Sequence, residues 1–386
     1  MITDTKTPRR LLLAGLVVFI LALWVTAPAS AIETKAKQAI LVDDTTGTVL
    51  FEKNADELVP PSSMSKIMTI YMVFERLAEG RLKLDDTFLV SEKAWRKGGS
   101  KMFVEVGKEV SVENLIQGII VASGNDACIV VAEGLSGSEE AFAEEMTARA
   151  REIGLKASTF KNASGWPEEG HLVTVRDLAW LAHRTIQDFP QYYGYYSEKN
   201  FTYNGIKQGN RNPLLYRNTG SDGLKTGHTK VAGYGLTASA VRNGRRLILV
   251  VNGLGSMRER AQESQRLLDW GFREFNNYTL LSAGAPVAEA DVWLGDVPTV
   301  PLVTEKDLVL SLSRKARRGM KVTLVYEGPV PAPIPRGSEI AKLVITAPDT
   351  PPLEVPLLAG VDVGKLSMFR RIGAAIGYLV WGAGSN

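Results

Sequence analysis

The chain has 386 residues, 45% hydrophobic and 23% charged, an ordinary globular composition with room for two domains. A formal net charge of +3, with no long basic run interleaved with aromatics, argues against a nucleic-acid partner. The single cysteine, Cys128, excludes an intramolecular disulfide and a Cys-based zinc cluster, and its apolar neighbours mark it as buried filler rather than a nucleophile.

The first 31 residues read as a secretory signal. Lys6, Arg9 and Arg10 precede an apolar run over residues 11–25, and Ala29-Ser30-Ala31 forms an A-x-A cleavage site. These residues carry a net +2 against the single Asp4, leaving +1 on the remainder. An uncleaved membrane anchor is the alternative, but the run is short for a span. Residues 39–42 and 48–51 then read as two strands joined by a turn-rich hairpin.

A long helical region is expected from Ser63 to about Pro190. Pro60 and Pro61 end the extended segment, Ser62 or Ser63 can cap the first helix, and Ile67, Tyr71, Phe74 and Ala78 give it an amphipathic period ending near Gly80. Ser111 caps a second helix running to Ala122, and a third runs from about Asp126 to Glu133. A further helix starts at Thr174, with Asp177 completing a capping pattern.

After His228 strands return: residues 234–241 and 246–251 flank Asn243-Gly244, a strong hairpin signal, and residues 259–275 form an amphipathic helix. Strands at both ends with helices between them imply an α+β domain over residues 32–277, closed by an antiparallel sheet. Residues 278–362 carry short alternating runs at 287–293, 308–312, 321–326 and 343–346, the texture of a small all-β domain.

Three motifs carry the chemistry: Ser63-Met64-Ser65-Lys66, Ser123-Gly124-Asn125 and Lys225-Thr226-Gly227. Taken singly, each has a plain reading as a helix cap with a surface lysine, a helix–helix turn, or a surface strand. A second S-x-x-K, Ser158 to Lys161, shows how cheaply one motif arises. As an ordered set they read as S-x-x-K, S-x-N and K-T-G, the signature of active-site-serine enzymes that acylate on D-Ala-D-Ala peptides or β-lactams. Ser63 and Lys66, three apart on a helix, share a face, and the helix dipole favours an alkoxide at Ser63. With only His171, His183 and His228 present and no G-x-S-x-G elbow, Lys66 is the candidate base. Lys225 and Thr226 are expected on an edge strand facing a cleft.

On these motifs, and on residues 121–127, 210–212, 222–229 and 270–272, the chain resembles the D-alanyl-D-alanine carboxypeptidases among the low-molecular-mass penicillin-binding proteins, serine DD-peptidases of β-lactamase-like fold. The likeness is strongest over residues 39–275. It implies Ser63 as nucleophile, Lys66 as its base, Ser123 as proton relay and Asn125 as holder of Lys66 and the substrate amide. Lys225 and Thr226 would bind the terminal carboxylate, beside Gly227, and the backbone N–H groups of Ser63 and His228 would form the oxyanion hole. Arg211 and Arg260 are further carboxylate candidates, with Arg258 competing for the role of Arg260. The implied substrate is the peptidoglycan stem peptide, the implied inhibitors are β-lactams, and no cofactor or metal is expected.

A β-lactamase is the first alternative, but the E-x-x-x-N arrangement that drives deacylation in class A enzymes is missing, since Glu168 and Glu169 lack the asparagine. A non-catalytic cell-wall-binding protein on the same scaffold is the second. Finally, Leu366, Phe369, Ile372, Ile376, Leu379 and Val380 form an apolar stripe beside Lys365, Arg370 and Arg371, with Tyr378 and Trp381 suited to an interface. Residues 363–386 therefore read as an amphipathic helix resting on the outer face of the inner membrane, which places the protein in the periplasm.

Overall fold

The computed structural model describes residues 32–367. The expected signal segment and most of the expected C-terminal amphipathic helix lie outside these residues. The first strand pair is β1 (Gln38–Asp43) with β2 (Val49–Lys53). A 3-10 turn over Ser62–Ser65 leads into α1 (Lys66–Ala78). Neither Ser62 nor Ser63 caps a helix: no side-chain cap bond is made at this turn or at the start of α1. The side chains are used elsewhere, because the turn is pressed against the sheet.

Helix α1 also departs from the expected amphipathic pattern. Besides Ile67, Tyr71 and Phe74 it buries Met68, Thr69, Ile70, Met72 and Val73, so it runs through the core rather than along the surface. Phe74 packs against Phe189, Tyr192, Tyr195 and Tyr196, an aromatic cluster that fixes the far end of the helix.

The region after α1 is not continuously helical. A small hairpin, β3 (Thr87–Leu89) with β4 (Glu109–Ser111), brackets the short α2 (Glu92–Arg96). Then come α3 (Val112–Ile120), capped by Ser111, α4 (Asn125–Ser136), α5 (Glu139–Glu152) and α6 (Val175–Asp188). Thr174 caps α6 as expected, but the Asp177 carboxylate turns away to accept from Ala157 N, Ser158 N and the Ser158 hydroxyl. A second hairpin, β5 (Asn200–Tyr203) with β6 (Ile206–Gly209), turns at Asn204-Gly205. Both turn residues have positive φ, the same chemistry as Asn243-Gly244.

Strands β7 (Ser221–Thr229), β8 (Gly233–Arg242) and β9 (Arg245–Leu254) complete an antiparallel sheet in the order β2-β1-β9-β8-β7. Helix α7 (Met257–Glu274) packs on it. Strand β7 lies at the sheet edge, as the K-T-G motif requires.

The chain then passes through β10 (Phe275–Leu281), β11 (Pro286–Trp293), β12 (Thr299–Val303), β13 (Leu308–Ser313), α8 (Arg314–Gly319), β14 (Lys321–Val325), β15 (Val330–Pro331), β16 (Glu339–Ala347) and β17 (Thr350–Ala359). Six strands form one sheet in the order β14-β16-β17-β12-β11-β15, while β10 pairs with β13. Val300, Leu302, Leu343 and Leu357 lie in its core. The expected start of the terminal helix at residue 363 is corrected here: Val363 bridges to Ile334 and Lys365 to Gly295, so this stretch belongs to the β structure.

Polar contacts tie the five-stranded sheet to the β10–β13 pair. Asp43 is fully buried; its Oδ2 accepts from Arg245 Nε at 2.7 Å, and its Oδ1 accepts from Thr45 N, Thr46 N and Asn277 Nδ2. Thr46 Oγ1 lies 2.7 Å from Ser311 Oγ, which donates to Asn277 Oδ1. Removing the carboxylate strands Arg245 in a nearly dry place. We expect Asp43→Ala to cost about 3 kcal/mol, read as a lowered urea midpoint.

Candidate active site

The three motifs converge where the 3-10 turn, the α3–α4 junction and the edge strand β7 meet. Ser63 is partly exposed, whereas Lys66 behind it is fully buried. Lys66 Nζ has three oxygen neighbours: Ser164 O at 2.6 Å, Asn125 Oδ1 at 2.7 Å and Ser63 Oγ at 3.0 Å. The first two can only accept, so they engage two amine hydrogens. The third is a hydroxyl, able to accept from an ammonium or to donate to the lone pair of a neutral amine. Burial pushes the Lys66 pKa down to about 8, and the charges of Arg211 and Lys97 act in the same direction.

The α3–α4 junction holds Ser123 with φ +58°, a left-handed conformation that aims its side chain out of the helix path. Ser123 Oγ accepts from Lys225 Nζ at 2.9 Å. Asn125 opens α4 and is held by its own backbone, N to Ser100 O at 2.7 Å, and by its amide, Nδ2 to Gly98 O at 2.9 Å. Next to it the buried Asp126 carboxylate accepts from Met102 N, Ala127 N, Phe103 N and Val104 N, pinning the loop that faces the motif. Lys225 is also buried, and its pKa is driven well down by burial and by repulsion from Lys66 and Arg211. Thr226 and Gly227 are buried where β7 meets the turn, while His228 is exposed and its ring stacks on Tyr234 at 3.9 Å.

Of the arginine candidates, Arg260 is buried, Arg258 is exposed, and Arg211 reaches over the cleft to Ser100 Oγ. Arg260 donates from Nη2 to Arg211 O at 3.4 Å and lies over the Tyr234 ring, with Nε unpartnered. Burial lowers its pKa to about 10. Both Arg211 and Arg260 act electrostatically on Lys225, which groups them with the site; Arg258 has no such link.

The sequence reading gave the 162–165 segment no role. Asn162 Oδ1 accepts from Ser164 N, Gly165 N and Trp166 N, a side-chain knot that presents Ser164 O to Lys66. Gly165 has φ +76°, and a Cβ there would lie 1.8 Å from Ser62 O. The Asn-x-x-Gly pattern was the available signal. The missed His171 is buried behind the turn, with Nε2 2.8 Å from Ser65 Oγ and Nδ1 accepting from Lys161 N. Burial pushes its pKa down to about 4, so it is a neutral spacer near neutral pH. Ser158 bonds Asp177 instead of Lys161, so the second S-x-x-K is no site. Cys128 is buried, with its thiol pushed up to about 12.

Residues 25–255 match the family model of D-alanyl-D-alanine carboxypeptidase (peptidase S11), and residues 275–365 match the penicillin-binding protein 5 C-terminal domain. The chain belongs to this carboxypeptidase family. It is 37% identical over 355 residues to the D-alanyl-D-alanine carboxypeptidase DacC of Escherichia coli, covering 90% of this chain and 88% of the relative. Penicillin-binding protein 5 from Haemophilus influenzae is a structural neighbour at TM-score 0.78 and 35% identity, spanning 88% of this chain and all of that one. Penicillin-binding protein D2 from Listeria monocytogenes, solved in an ampicillin-bound form, matches at TM-score 0.58 and 30% identity over 63% of this chain and 99% of its own.

The steric role of Gly165 gives a direct test. Gly165→Ala must displace the turn that carries Ser63, and we expect labelling by a fluorescent penicillin to slow at least about a hundredfold, in line with catalytic displacements of about 1 Å. Circular dichroism should show the fold retained.

Proposed function

We propose that this protein is a serine-type D-Ala-D-Ala carboxypeptidase that removes the terminal D-alanine from peptidoglycan stem pentapeptides through an acyl-enzyme. The observation that supports this most is the buried Lys66 amine, within 3.0 Å of Ser63 Oγ and engaged by two pure acceptors. A neutral Lys66 accepts the Ser63 proton as Oγ attacks the carbonyl carbon of the penultimate D-alanine. Ser123 passes its hydroxyl proton to the leaving D-alanine nitrogen and takes one in turn from the Lys225 ammonium bonded to it; in the later hydrolysis Lys66 returns its proton to Ser63 Oγ, and the proton lost by water restores Lys225. Lys225, Thr226 and the arginines receive the terminal carboxylate. Edge strand β7, with no strand partner on its outer side among the described residues, would supply the His228 N–H which, with that of Ser63, would hold the tetrahedral oxyanion. Water then cleaves the ester and restores Ser63.

β-Lactams would acylate Ser63 by the same route and deacylate slowly. Glu168, one of the two glutamates weighed for a water-driving carboxylate, is exposed and accepts from Asn162 Nδ2 rather than touching Ser63 or Lys66. That argues against the β-lactamase alternative. The paired Lys66 and Lys225 argue against an idle scaffold.

Ser63→Ala should abolish both D-alanine release from a synthetic pentapeptide and covalent penicillin labelling. Persistent labelling would assign the chemistry to another serine. With the Lys66 pKa at about 8, about a tenth of the amine is neutral at pH 7. The acylation rate should therefore rise with pH through about 8 and level off above it. A flat profile from pH 6 to 10 would remove Lys66 as the base.

The protein is further inferred to be exported and to sit at the outer face of the cytoplasmic membrane. The support is the leader-like sequence of residues 1–31 and the amphipathic sequence pattern that follows Lys365. Removing residues 368–386, beyond the bridge at Lys365, should release an active enzyme into the soluble fraction; continued sedimentation with membranes would place the anchor elsewhere.

A further inference from the structure

Trp166 stands at the lip of the site with almost half its surface in water, at 44% exposure. It lies two residues beyond the carbonyl that holds Lys66, and its ring lies against Gly98 and Gly99, the backbone to which the Asn125 amide is bonded. Gly99 has φ +81°, and a Cβ there would meet Asn125 Nδ2 at 2.7 Å and the Trp166 ring at 2.9 Å. The indole is thus one backbone layer from the catalytic lysine.

Lys97 Nζ lies over this ring, 5.4 Å from its centroid. The neighbouring cations are all engaged: Lys93 with Glu139 and Glu140, Arg96 with Glu92, and Lys101 with the Trp95 carbonyl. Lys97, half-buried, forms no ion pair with a described residue. Glu168, exposed, has its carboxylate at Asn162 Nδ2, the same amide that donates to the Trp166 carbonyl. An apolar floor thus carries a cation unpaired among the described residues over its ring, and an exposed carboxylate is held at the amide that bonds its backbone carbonyl.

The direction of the substrate gives this arrangement a use, on the carboxypeptidase reading above. The terminal carboxylate belongs at Lys225, beside Ser123. The residues upstream of the cleaved bond then leave on the other flank of Lys66, past Asn125 and Trp166. We propose that Trp166, Lys97 and Glu168 form a subsite for the side chain of the residue preceding D-Ala-D-Ala. The side chain they fit is an aliphatic stem ending in an amino-acid head, one carboxylate for Lys97 and one ammonium for Glu168. The stem lies on the indole, and a side chain ending in an amine alone meets Lys97 as a like charge.

The test compares two pentapeptides that differ only at the third residue, diaminopimelate or lysine, by the ratio of their kcat/KM values. A ratio within one protein cancels any general effect of a substitution on the catalytic lysine. The wild type should favour diaminopimelate by about tenfold, and Lys97→Glu should bring the ratio to about unity or below it. Trp166→Ala should lower kcat/KM for both peptides by about tenfold relative to an N-acetyl D-Ala-D-Ala lacking the third residue. A wild-type ratio near one, or a ratio unmoved by Lys97→Glu, overturns the subsite.

A second arm keeps the subsite separate from the carboxypeptidase reading. Acylation rates are measured for a penicillin with an aminoadipoyl side chain and for one with a plain pentanoyl chain. If neither peptide loses D-alanine, the carboxypeptidase reading fails, and the ratio of the two acylation rates, with its response to Lys97→Glu, still decides the subsite by the same criterion.

Discussion

The structure is organised around a lysine taken entirely out of water. Burying Lys66 disfavours its ammonium form, and the protein offsets only part of that loss, with two fixed acceptors and a hydroxyl. A third pure acceptor, or a carboxylate, would restore an ordinary lysine. The geometry stops one partner short, so that a neutral Lys66 would direct its lone pair at Ser63. Much of the surrounding structure keeps those partners in place.

Each acceptor has its own support. The Asn125 side chain is fixed because α4 starts at that residue and because the Asp126 carboxylate gathers four backbone N–H groups of the adjoining segments. The Ser164 carbonyl is fixed by the Asn162 knot, and the knot can lie against the 3-10 turn only because residue 165 has no Cβ. His171, neutral, joins the same two segments from behind through Ser65 and the Lys161 N–H. These are positioning contacts: none touches Ser63 Oγ, yet each sets where the lysine points.

How far this could be read from sequence follows from the range of each signal. The helix caps at Ser111 and Thr174 and the Asn243-Gly244 turn depend on residues within a few positions, and they form as read. The side chains of the three motifs were legible because their types are unusual as an ordered set. The Ser164 carbonyl was not, since every residue has one and only tertiary packing selects it. The 3-10 turn escaped because Ser62 and Ser63 look like helix caps until the sheet is packed against them. The Asn204-Gly205 hairpin was available by the rule that found Asn243-Gly244, but its strands are only four residues each and their alternation is weak.

The electrostatics of the cleft connect its two halves. Besides burial, Lys66, Arg211 and Arg260 depress Lys225, Arg211 depresses both Lys66 and Arg260, and none of the four is ion-paired with a described carboxylate. Like charges in a partly dry cleft oppose folding and lower each other's proton affinity. An incoming carboxylate would relieve that repulsion at Lys225 and Arg260, while Lys66, sealed by Asn125 and Ser164, would keep its depressed pKa. Recognition and base strength are then separate functions of one positive cluster. A D-alanyl peptide and a penicillin both carry a carboxylate beyond the bond to be broken, so both would be drawn into the same register over Ser63.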